Sequence, residues 1–191
     1  MQEKMNIDRL LSMMKETGAL LEGHFRLSSG LHSAHYMQCA LLLSVPRYAA
    51  FAGKLLAEKL KPLEAEAVFA PALGGLIIGH EVARHLDIPF YFAERENGTM
   101  KLRRFPRPGK VRFLVIEDVI TTGGSALEVG KLVSETGAEW TGTGCIVDRS
   151  AGKAAFPHAL ESLWQASFPT YAPEECPLCK EGIPIEKPGS R

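Results

Sequence analysis

The spacing of hydrophobic residues indicates two helices in the first third of the chain. In the first of them, apolar side chains recur three and four positions apart: Ile7, Leu10, Leu11 and Met14. Gly18 follows, where a helix commonly ends. A second pattern of this kind begins at Pro46 and stops at Pro62. Both stretches are predicted to be amphipathic helices that pack one face against the rest of the protein.

Short continuous apolar runs follow, and small-residue loops and helical patterns separate them. The runs are residues 67–70, 90–93, 113–116 and 144–147, and the helical patterns are residues 76–86 and 124–137. Such runs are typical of strands that are buried on both faces of a parallel sheet. Strands that alternate with helices predict an α/β fold, with an open, mostly parallel sheet and helices on both faces.

The two ends of the chain follow other patterns. Residues 1–45 contain the first helix and two short strand patterns around a Ser-Gly turn, which predict a small N-terminal hood. After Ser150 the pattern weakens, and residues 163–168 are a further strand candidate. Five prolines among residues 169–191 predict an extended tail. We therefore assign residues 1–170 to one domain and residues 171–191 to a Pro-rich C-terminal tail.

Composition excludes several classes of partner. The 191 residues are 46% hydrophobic, which is enough for one sizeable core. The 22 basic and 22 acidic side chains balance, so no overall charge attracts the chain to nucleic acid or to an anionic membrane. No apolar run is long enough to span a bilayer, and the first residues do not resemble a signal sequence. We expect a cytoplasmic protein.

The stretch 113–125 carries the strongest chemical signal. The apolar run leads into Glu117 and Asp118, which are predicted to lie at the carboxyl end of a strand, where open α/β sheets bind ligands. Thr121 to Ser125 then form a small-residue loop whose backbone N–H groups can surround an anion at a helix start. Acids followed by an anion site suit a sugar phosphate. Two acids alone would favour a surface turn before a helix cap.

The whole stretch is more specific, because it resembles the phosphoribosyl pyrophosphate binding motif of the type I phosphoribosyltransferases. Residues 25–36, with a Ser-Gly turn and an aromatic residue at Tyr36, are similar to the orotate-using family within that group. The resemblance implies transfer of ribose 5-phosphate from phosphoribosyl pyrophosphate to N1 of orotate, in pyrimidine biosynthesis. It also implies Mg²⁺, held mainly by substrate phosphates and water and not by a dedicated set of protein ligands.

The resemblance also assigns roles to individual residues. Catalytic roles fall to Asp118, Glu117 and Lys101. Phosphoribosyl pyrophosphate would contact the acids, two loops and several cations: Glu117, Asp118, Leu73, Gly74, Thr121, Thr122, Gly123, Gly124, Ser125, Arg95, Arg103 and Arg104. Orotate would lie against Phe25, Arg26, Leu27, Thr121 and Arg149. For Arg149, an ion pair with Asp148 or another acid is the alternative.

Residues 94–110 are predicted to be a mobile, charged loop that covers the site. By resemblance, the enzyme is a homodimer in which this loop acts on the partner subunit's substrate. Ser28 and Gly74 stand where better-known members have lysines, and the loop has no His after Arg95. Lys101, Arg103 and Arg104 are therefore the candidates that supply the missing positive charge.

Cys176 and Cys179 form a Cys-x-x-Cys pair in the tail. A tetrahedral zinc site needs four ligands, which only Cys39, Cys145 and the histidines could complete, and one pair is weak evidence. The neighbouring prolines disfavour a redox motif. We predict a structural knuckle without metal, with zinc as the alternative.

Three other functions compete with the orotate assignment. A purine or uracil phosphoribosyltransferase would use the same chemistry, but residues 29–36 disfavour it. A regulator that senses phosphoribosyl pyrophosphate without catalysis is disfavoured by the neutral net charge and the absence of an added DNA-binding segment. A dinucleotide-binding oxidoreductase is disfavoured because no Gly-x-Gly-x-x-Gly follows the first strand.

Overall fold

The structure is a computed structural model that describes residues 2–27 and 29–188. It begins with helix α1 (Gln2–Glu16), the antiparallel strands β1 (Leu20–Arg26) and β2 (His32–Met37), and a short helix α2 (Cys39–Leu43). The first predicted helix and the strand pair of the hood are thereby confirmed. Ser28 lies outside the described residues.

Helices and strands then alternate along the chain. They are α3 (Pro46–Leu60), a 3₁₀ turn (Lys61–Leu63), β3 (Ala67–Pro71), α4 (Gly75–Leu86), β4 (Phe90–Glu96), β5 (Thr99–Lys101), β6 (Arg112–Ile120), α5 (Gly124–Ser134), β7 (Glu139–Asp148) and β8 (Leu160–Gln165). The six strands form one sheet in the order β5-β4-β3-β6-β7-β8. All neighbours are parallel except β4 and β5. The predicted open, mostly parallel sheet is confirmed.

The central strand β6 has apolar side chains on both faces. Leu114 and Ile116 pack into the core formed with α3 and α4, whereas Phe113 and Val115 pack into the core formed with α5. All four are fully buried, so the sheet is covered by helices on both faces, as predicted. No helix in the described part of the chain is both long and apolar enough to cross a membrane.

The centre of the sheet positions the candidate site. Strands β3 and β6 are neighbours, and the helices that follow them, α4 and α5, cover opposite faces of the sheet. The connections after β3 and β6 therefore diverge, and a crevice opens at the carboxyl edge between them. Open α/β sheets hold ligands at this kind of switch point.

The C-terminal tail is not simply extended, in contrast to the prediction. Strand β9 (Thr170–Tyr171) pairs with β2 and completes a three-stranded sheet in the order β1-β2-β9. A short helix α6 (Pro177–Lys180) follows, and Glu186 then pairs with Phe25 of β1 as an isolated parallel bridge. The tail and the hood therefore share backbone hydrogen bonds.

Candidate active site

The acid pair lies inside strand β6 and not in a turn after it. β6 runs on to Ile120 because its backbone stays paired with β7, with Glu117 opposite Cys145 and Ile120 opposite Asp148. The predicted strand end at residue 116 is therefore wrong. The prediction that both acids lie at the carboxyl edge of the sheet is confirmed.

The two acids have different surroundings. Glu117 is buried, whereas Asp118 is half-buried and accepts a hydrogen bond from the Val119 N–H at 2.8 Å. Burial, followed by the negative charge of Asp118, raises the pKa of Glu117 to about 8. Near neutral pH the pair therefore retains one proton on Glu117, and the site can offer both a hydrogen-bond donor and acceptors.

Gly74, in the loop before α4, directly faces the acid pair. A Cβ built on this glycine would lie 2.6 Å from Asp118 Oδ1 and 3.1 Å from Glu117 Oε1. The loop after β3 and the acids of β6 thus touch only because residue 74 has no side chain. Leu73 beside it is exposed, with its side chain in solvent. The structure brings both predicted loop residues to the crevice.

The connection between β6 and α5 is the stretch that was predicted to form an anion cradle. Thr121, Thr122 and Gly123 lead into α5, which begins at Gly124, and residues 117 and 119–126 line a cavity of about 70 Å³. The first N–H groups of a helix have no partner within it, and the helix dipole favours negative charge there. The cavity therefore suits a small anion such as a phosphate group.

Gly123 explains why the cradle keeps its shape. Its φ of +80° lies in the left-handed region, and a Cβ there would be 3.0 Å from Cζ of Phe156. Sequence reasoning missed Phe156, because it lies in a weakly patterned stretch far along the chain from the loop. Its half-buried ring forms one wall beside the connection.

Arg149 follows β7 and lies at the same edge of the sheet. Its backbone N–H donates to the Ile120 carbonyl at 2.7 Å, and its guanidinium lies 5.5 Å from the centre of the Phe168 ring. Burial lowers the pKa of Arg149. The predicted alternative, an ion pair with Asp148 or another acid, is not found within residues 2–27 and 29–188.

A stack of rings connects Arg149 to the hood. Phe168, which contacts Arg149, stacks on His35 of β2 with ring centres 4.4 Å apart. The Nδ1 atom of His35 is buried and has no hydrogen-bond partner in the described structure. Sequence reasoning missed both residues as site candidates, although His35 lies in the segment that carried the resemblance. The charges of Asp118 and Arg149 both act on the buried Cys39 thiol, whose pKa is raised chiefly by burial. The acids, Arg149 and the hood therefore meet at one region.

The three hood residues predicted to contact orotate have unequal positions. Phe25 is buried and packs against Tyr36, with ring centres 5.9 Å apart. Arg26 is exposed, and its backbone N–H donates to the Glu186 carbonyl at 2.8 Å. The Leu27 N–H donates to the Leu31 carbonyl, also at 2.8 Å, and closes the turn. Phe25 is therefore a core residue of the hood, whereas Arg26 and Leu27 are accessible.

The predicted mobile loop contains regular structure in its first part. Residues 94–101 form a hairpin of β4 and β5, and Phe105 then packs against Tyr91 and Phe92. The candidate cations pair with acids of the same protomer: Arg95 with Glu128, Lys101 and Arg103 with Glu96, and Arg104 with Glu94.

Lys101 lies away from the anion cradle of its own subunit. Lys101 lines a cavity of about 210 Å³ together with Leu132 and Thr136, at the C-terminal end of α5. The cradle is at the N-terminal end of the same helix, roughly 15 Å away at a rise of 1.5 Å for each residue. The structure therefore does not bring Lys101 to the acid pair, and Arg103 and Arg104 form ion pairs with Glu96 and Glu94 instead.

Two carboxyl groups are the protein's possible metal ligands at the crevice. Mg²⁺ commonly binds through one or two carboxylates together with water and substrate phosphates. The pair at Glu117 and Asp118 beside an anion cradle fits that arrangement. A set of three or more His, Cys, Asp or Glu ligands is found elsewhere in the described residues, between the hood and the tail.

Comparison with known proteins agrees with this geometry. The model of the phosphoribosyl transferase domain family matches residues 42–156. A protein of Thermotoga petrophila named orotate phosphoribosyltransferase is 53% identical over 181 residues, which cover 94% of this chain and 96% of that protein. A protein of the same name from Caldicellulosiruptor bescii is 50% identical over 188 residues and covers 98% and 99%.

A solved structure gives the same result. The crystal structure of orotate phosphoribosyltransferase from Aeropyrum pernix superimposes with a TM-score of 0.71 at 30% identity, over 82% of this chain and 93% of that one. The two curated relatives align over nearly the whole length of both chains, so the match includes the hood and the tail as well as the central sheet. The chain therefore belongs to the orotate phosphoribosyltransferase family.

Proposed function

We propose that this protein transfers ribose 5-phosphate from phosphoribosyl pyrophosphate to N1 of orotate. The products are orotidine 5′-monophosphate and pyrophosphate, and the reaction belongs to pyrimidine biosynthesis. The observation that carries the proposal is the meeting of the acid pair, the anion cradle and Gly74 at one switch point of the sheet. The curated relatives are named orotate phosphoribosyltransferase, and this name indicates orotate as the acceptor.

The sugar phosphate fits the crevice in one direction. The 5′-phosphate binds the N–H groups at the start of α5, and the ribose hydroxyls then face Glu117 and Asp118. Cleavage of the anomeric C–O bond builds positive charge on the sugar ring, which the charge of the acid pair stabilises. The proton that Glu117 retains lets it donate to one hydroxyl oxygen while Asp118 accepts from another.

The pyrophosphate leaves from the side of Gly74. This residue precedes α4, whose N-terminus also favours negative charge, and its missing side chain leaves the acids accessible. When it is bound, Mg²⁺ neutralises charge on the departing phosphates. Asp118, and Glu117 once it has released its proton, are the protein groups that would hold it, directly or through water.

Orotate is placed between the hood and Arg149. A guanidinium offers paired donors to a planar carboxylate. The guanidinium of Arg149 lies over the Phe168 ring, and this contact orients it. Arg26 and Leu27, which are accessible, form the side of the pocket that belongs to the hood. Phe25 supports them from the interior of the hood and does not contact the base.

The activity is tested by incubating purified protein with phosphoribosyl pyrophosphate, Mg²⁺ and one base at a time. We expect consumption of orotate, followed by the loss of its ultraviolet absorbance, and no consumption of adenine, hypoxanthine or uracil. Turnover of any of these bases without turnover of orotate would refute the assignment. Binding of phosphoribosyl pyrophosphate without turnover of any base would favour a regulator.

We further propose that the protein is a homodimer in which the charged loop of one subunit contributes to the substrate site of its partner. Lys101 lies near the far end of α5 from its own cradle, and Arg103 and Arg104 are paired with Glu96 and Glu94. A departing pyrophosphate needs cations, and Gly74 supplies none. A loop that reaches across a twofold axis would bring these cations to the neighbouring site and exclude water from it.

Subunit mixing tests this arrangement. One variant has Lys101, Arg103 and Arg104 changed to Ala, and the other carries Asp118→Asn. After exchange of equal amounts, half of the dimers are mixed and one of their two sites has an intact loop and an intact acid. About a quarter of the wild-type activity should return. No recovery after verified exchange, or an active monomer, would contradict action across the interface.

A further inference from the structure

Four metal-ligand side chains meet between the hood and the tail. They are His24 at the end of β1, His32 at the start of β2, and Cys176 and Cys179 around α6. Their ligating atoms all lie within 4.8 Å of one another, and no other group of this kind is found in the described residues. We propose that these four residues bind a structural Zn²⁺ ion.

The distances match a tetrahedral zinc site. Zn–N bonds of about 2.0–2.1 Å and Zn–S bonds of about 2.3 Å place two nitrogens about 3.3 Å apart, and a nitrogen and a sulfur about 3.6 Å apart. His24 Nε2 lies 3.1 Å from His32 Nδ1, 3.5 Å from Cys176 Sγ and 3.7 Å from Cys179 Sγ. His32 Nδ1 lies 3.3 Å from Cys179 Sγ. A single ion can therefore reach all four atoms with little movement.

Hydrogen bonds alone do not account for this cluster. His24 Nδ1 lies 2.8 Å from the Ile183 carbonyl, which only accepts, so a neutral His24 ring carries its proton on Nδ1. His24 Nε2 then presents one lone pair, which can accept one hydrogen, while three ligand atoms surround it. A metal ion satisfies the lone pair and all three neighbours. A zinc-bound histidine typically donates its other N–H to a carbonyl in this way.

The site is closed, as expected of a structural metal centre. His24, His32 and Cys176 are 3%, 7% and 0% exposed, respectively, and Cys179 lies at the surface. The protein supplies all four positions of a tetrahedron, so none remains for a substrate. The exposed Cys179 leaves a path for the ion to enter, and binding releases the two thiol protons to solvent.

A metal would hold the short helix α6, which is four residues long and has no buried side chain of its own. The tail beyond it pairs with β1 on both sides of Phe25, since Glu186 N–H donates to the His24 carbonyl and Arg26 N–H donates to the Glu186 carbonyl, each at 2.8 Å. The ion would join the tail to the strand that leads into the Leu27 turn.

This proposal replaces the prediction of a knuckle without metal. That prediction relied on the weakness of a single Cys-x-x-Cys pair. The tertiary structure adds His24 and His32 to the pair, whereas Cys39 and Cys145 are buried elsewhere. Four ligands of suitable type and spacing are much stronger evidence than two.

The test is elemental analysis of untagged protein that is purified with a reductant and without a chelator. We expect about one zinc ion in each chain. A variant with both Cys176→Ser and Cys179→Ser should retain less than about a tenth of that amount, since the two best ligands are lost. Two matched controls, His85→Asn at an exposed histidine and Cys145→Ala at a buried cysteine outside the cluster, should keep the zinc of the wild type.

A second measurement does not depend on the folding of any variant. Reduced wild-type protein from which the metal has been removed should bind one equivalent of Co²⁺ and develop the visible spectrum of tetrahedral cobalt, with a thiolate-to-cobalt charge-transfer band. Added Zn²⁺ should abolish that spectrum. Wild-type protein that contains no zinc and takes up neither ion would overturn the proposal. Stoichiometric iron, or zinc that persists in the double variant, would overturn it equally.

Discussion

Replacement of Glu117 by Gln should make the protein more stable at alkaline pH. Burial and the neighbouring Asp118 raise the pKa of Glu117 from 4.5 to about 8. A buried carboxyl group with a raised pKa favours its protonated form in the folded state. As the pH rises from 4.5 to about 8, the unfolded chain loses this proton while the folded protein retains it, so the free energy of unfolding falls. Above pH 8, Glu117 causes no further decrease in the free energy of unfolding.

The size of the effect follows from the shift. A rise from 4.5 to about 8 corresponds to about 5 kcal/mol, at about 1.4 kcal/mol for each pKa unit. Local relaxation and entry of water around a buried charge make this an upper limit, and we expect about 2–4 kcal/mol. For a chain of this length, that difference raises the melting temperature of Glu117→Gln above the wild type by roughly 5–15 °C at alkaline pH. Below pH 4.5 the two proteins should be equally stable.

The assay is urea or thermal unfolding of both proteins across this pH range, without substrate or Mg²⁺. Gln has nearly the same shape, and its amide oxygen can still accept the hydrogen bond from the Asp118 N–H at 3.2 Å. Glu139→Gln, at the exposed start of β7, is the matched control and should follow the wild type. Asp118→Asn should reduce the slope without removing it, because burial is the larger cause. Parallel curves for the wild type and Glu117→Gln would refute the reasoning.

Three further predictions concern the site. Asp118→Asn should lower turnover of orotate by roughly 10²–10³ while the circular dichroism spectrum is retained, and a fully active variant would make Asp118 a surface acid. Gly123→Ala should raise the KM for phosphoribosyl pyrophosphate by at least about tenfold, because φ is +80° and Phe156 leaves no room, whereas Gly18→Ala, at φ +70°, should leave KM unchanged. Arg149→Lys keeps the charge but loses the paired donors, so the KM for orotate should rise about 10–100-fold while the KM for phosphoribosyl pyrophosphate changes little. Equal changes in the two KM values would argue against a contact between Arg149 and the base.

The sequence alone determined the fold class and predicted where an anion would bind. Four apolar strands that alternate with helices have few ways to pair their backbone N–H and C=O groups and to bury both faces of the resulting sheet. An open parallel sheet covered by helices is one of them. Residues 121–125 predicted an anion site because small residues leave backbone N–H groups exposed, and α5 does begin at Gly124. These properties are local, so a short window of sequence contains them.

The residues at which the strands end could not be predicted from a short window of sequence. β6 continues through Glu117 and Asp118 because β7 supplies backbone partners as far as Asp148, so sheet pairing outweighs the polarity of the side chains. The charged stretch after residue 93 forms a hairpin because Glu94 pairs with Lys101 across the two strands. From the sequence alone, the strand was predicted to end with the apolar run at residue 116, and residues 94–110 were predicted to be a loop, since the sequence does not show which backbone lies opposite.

Only the tertiary structure brought distant residues together. Gly74 fits against the acid pair because β3 and β6 are neighbours in the sheet, although Gly74 and Glu117 are 43 positions apart in the chain and strands β4 and β5 lie between them. His24 and Cys176 are 152 positions apart, yet Nε2 and Sγ lie 3.5 Å from each other. The Cys-x-x-Cys pair was visible in the sequence, but which of the six histidines lie beside it was not, because the folding of the hood and the tail sets these distances in space.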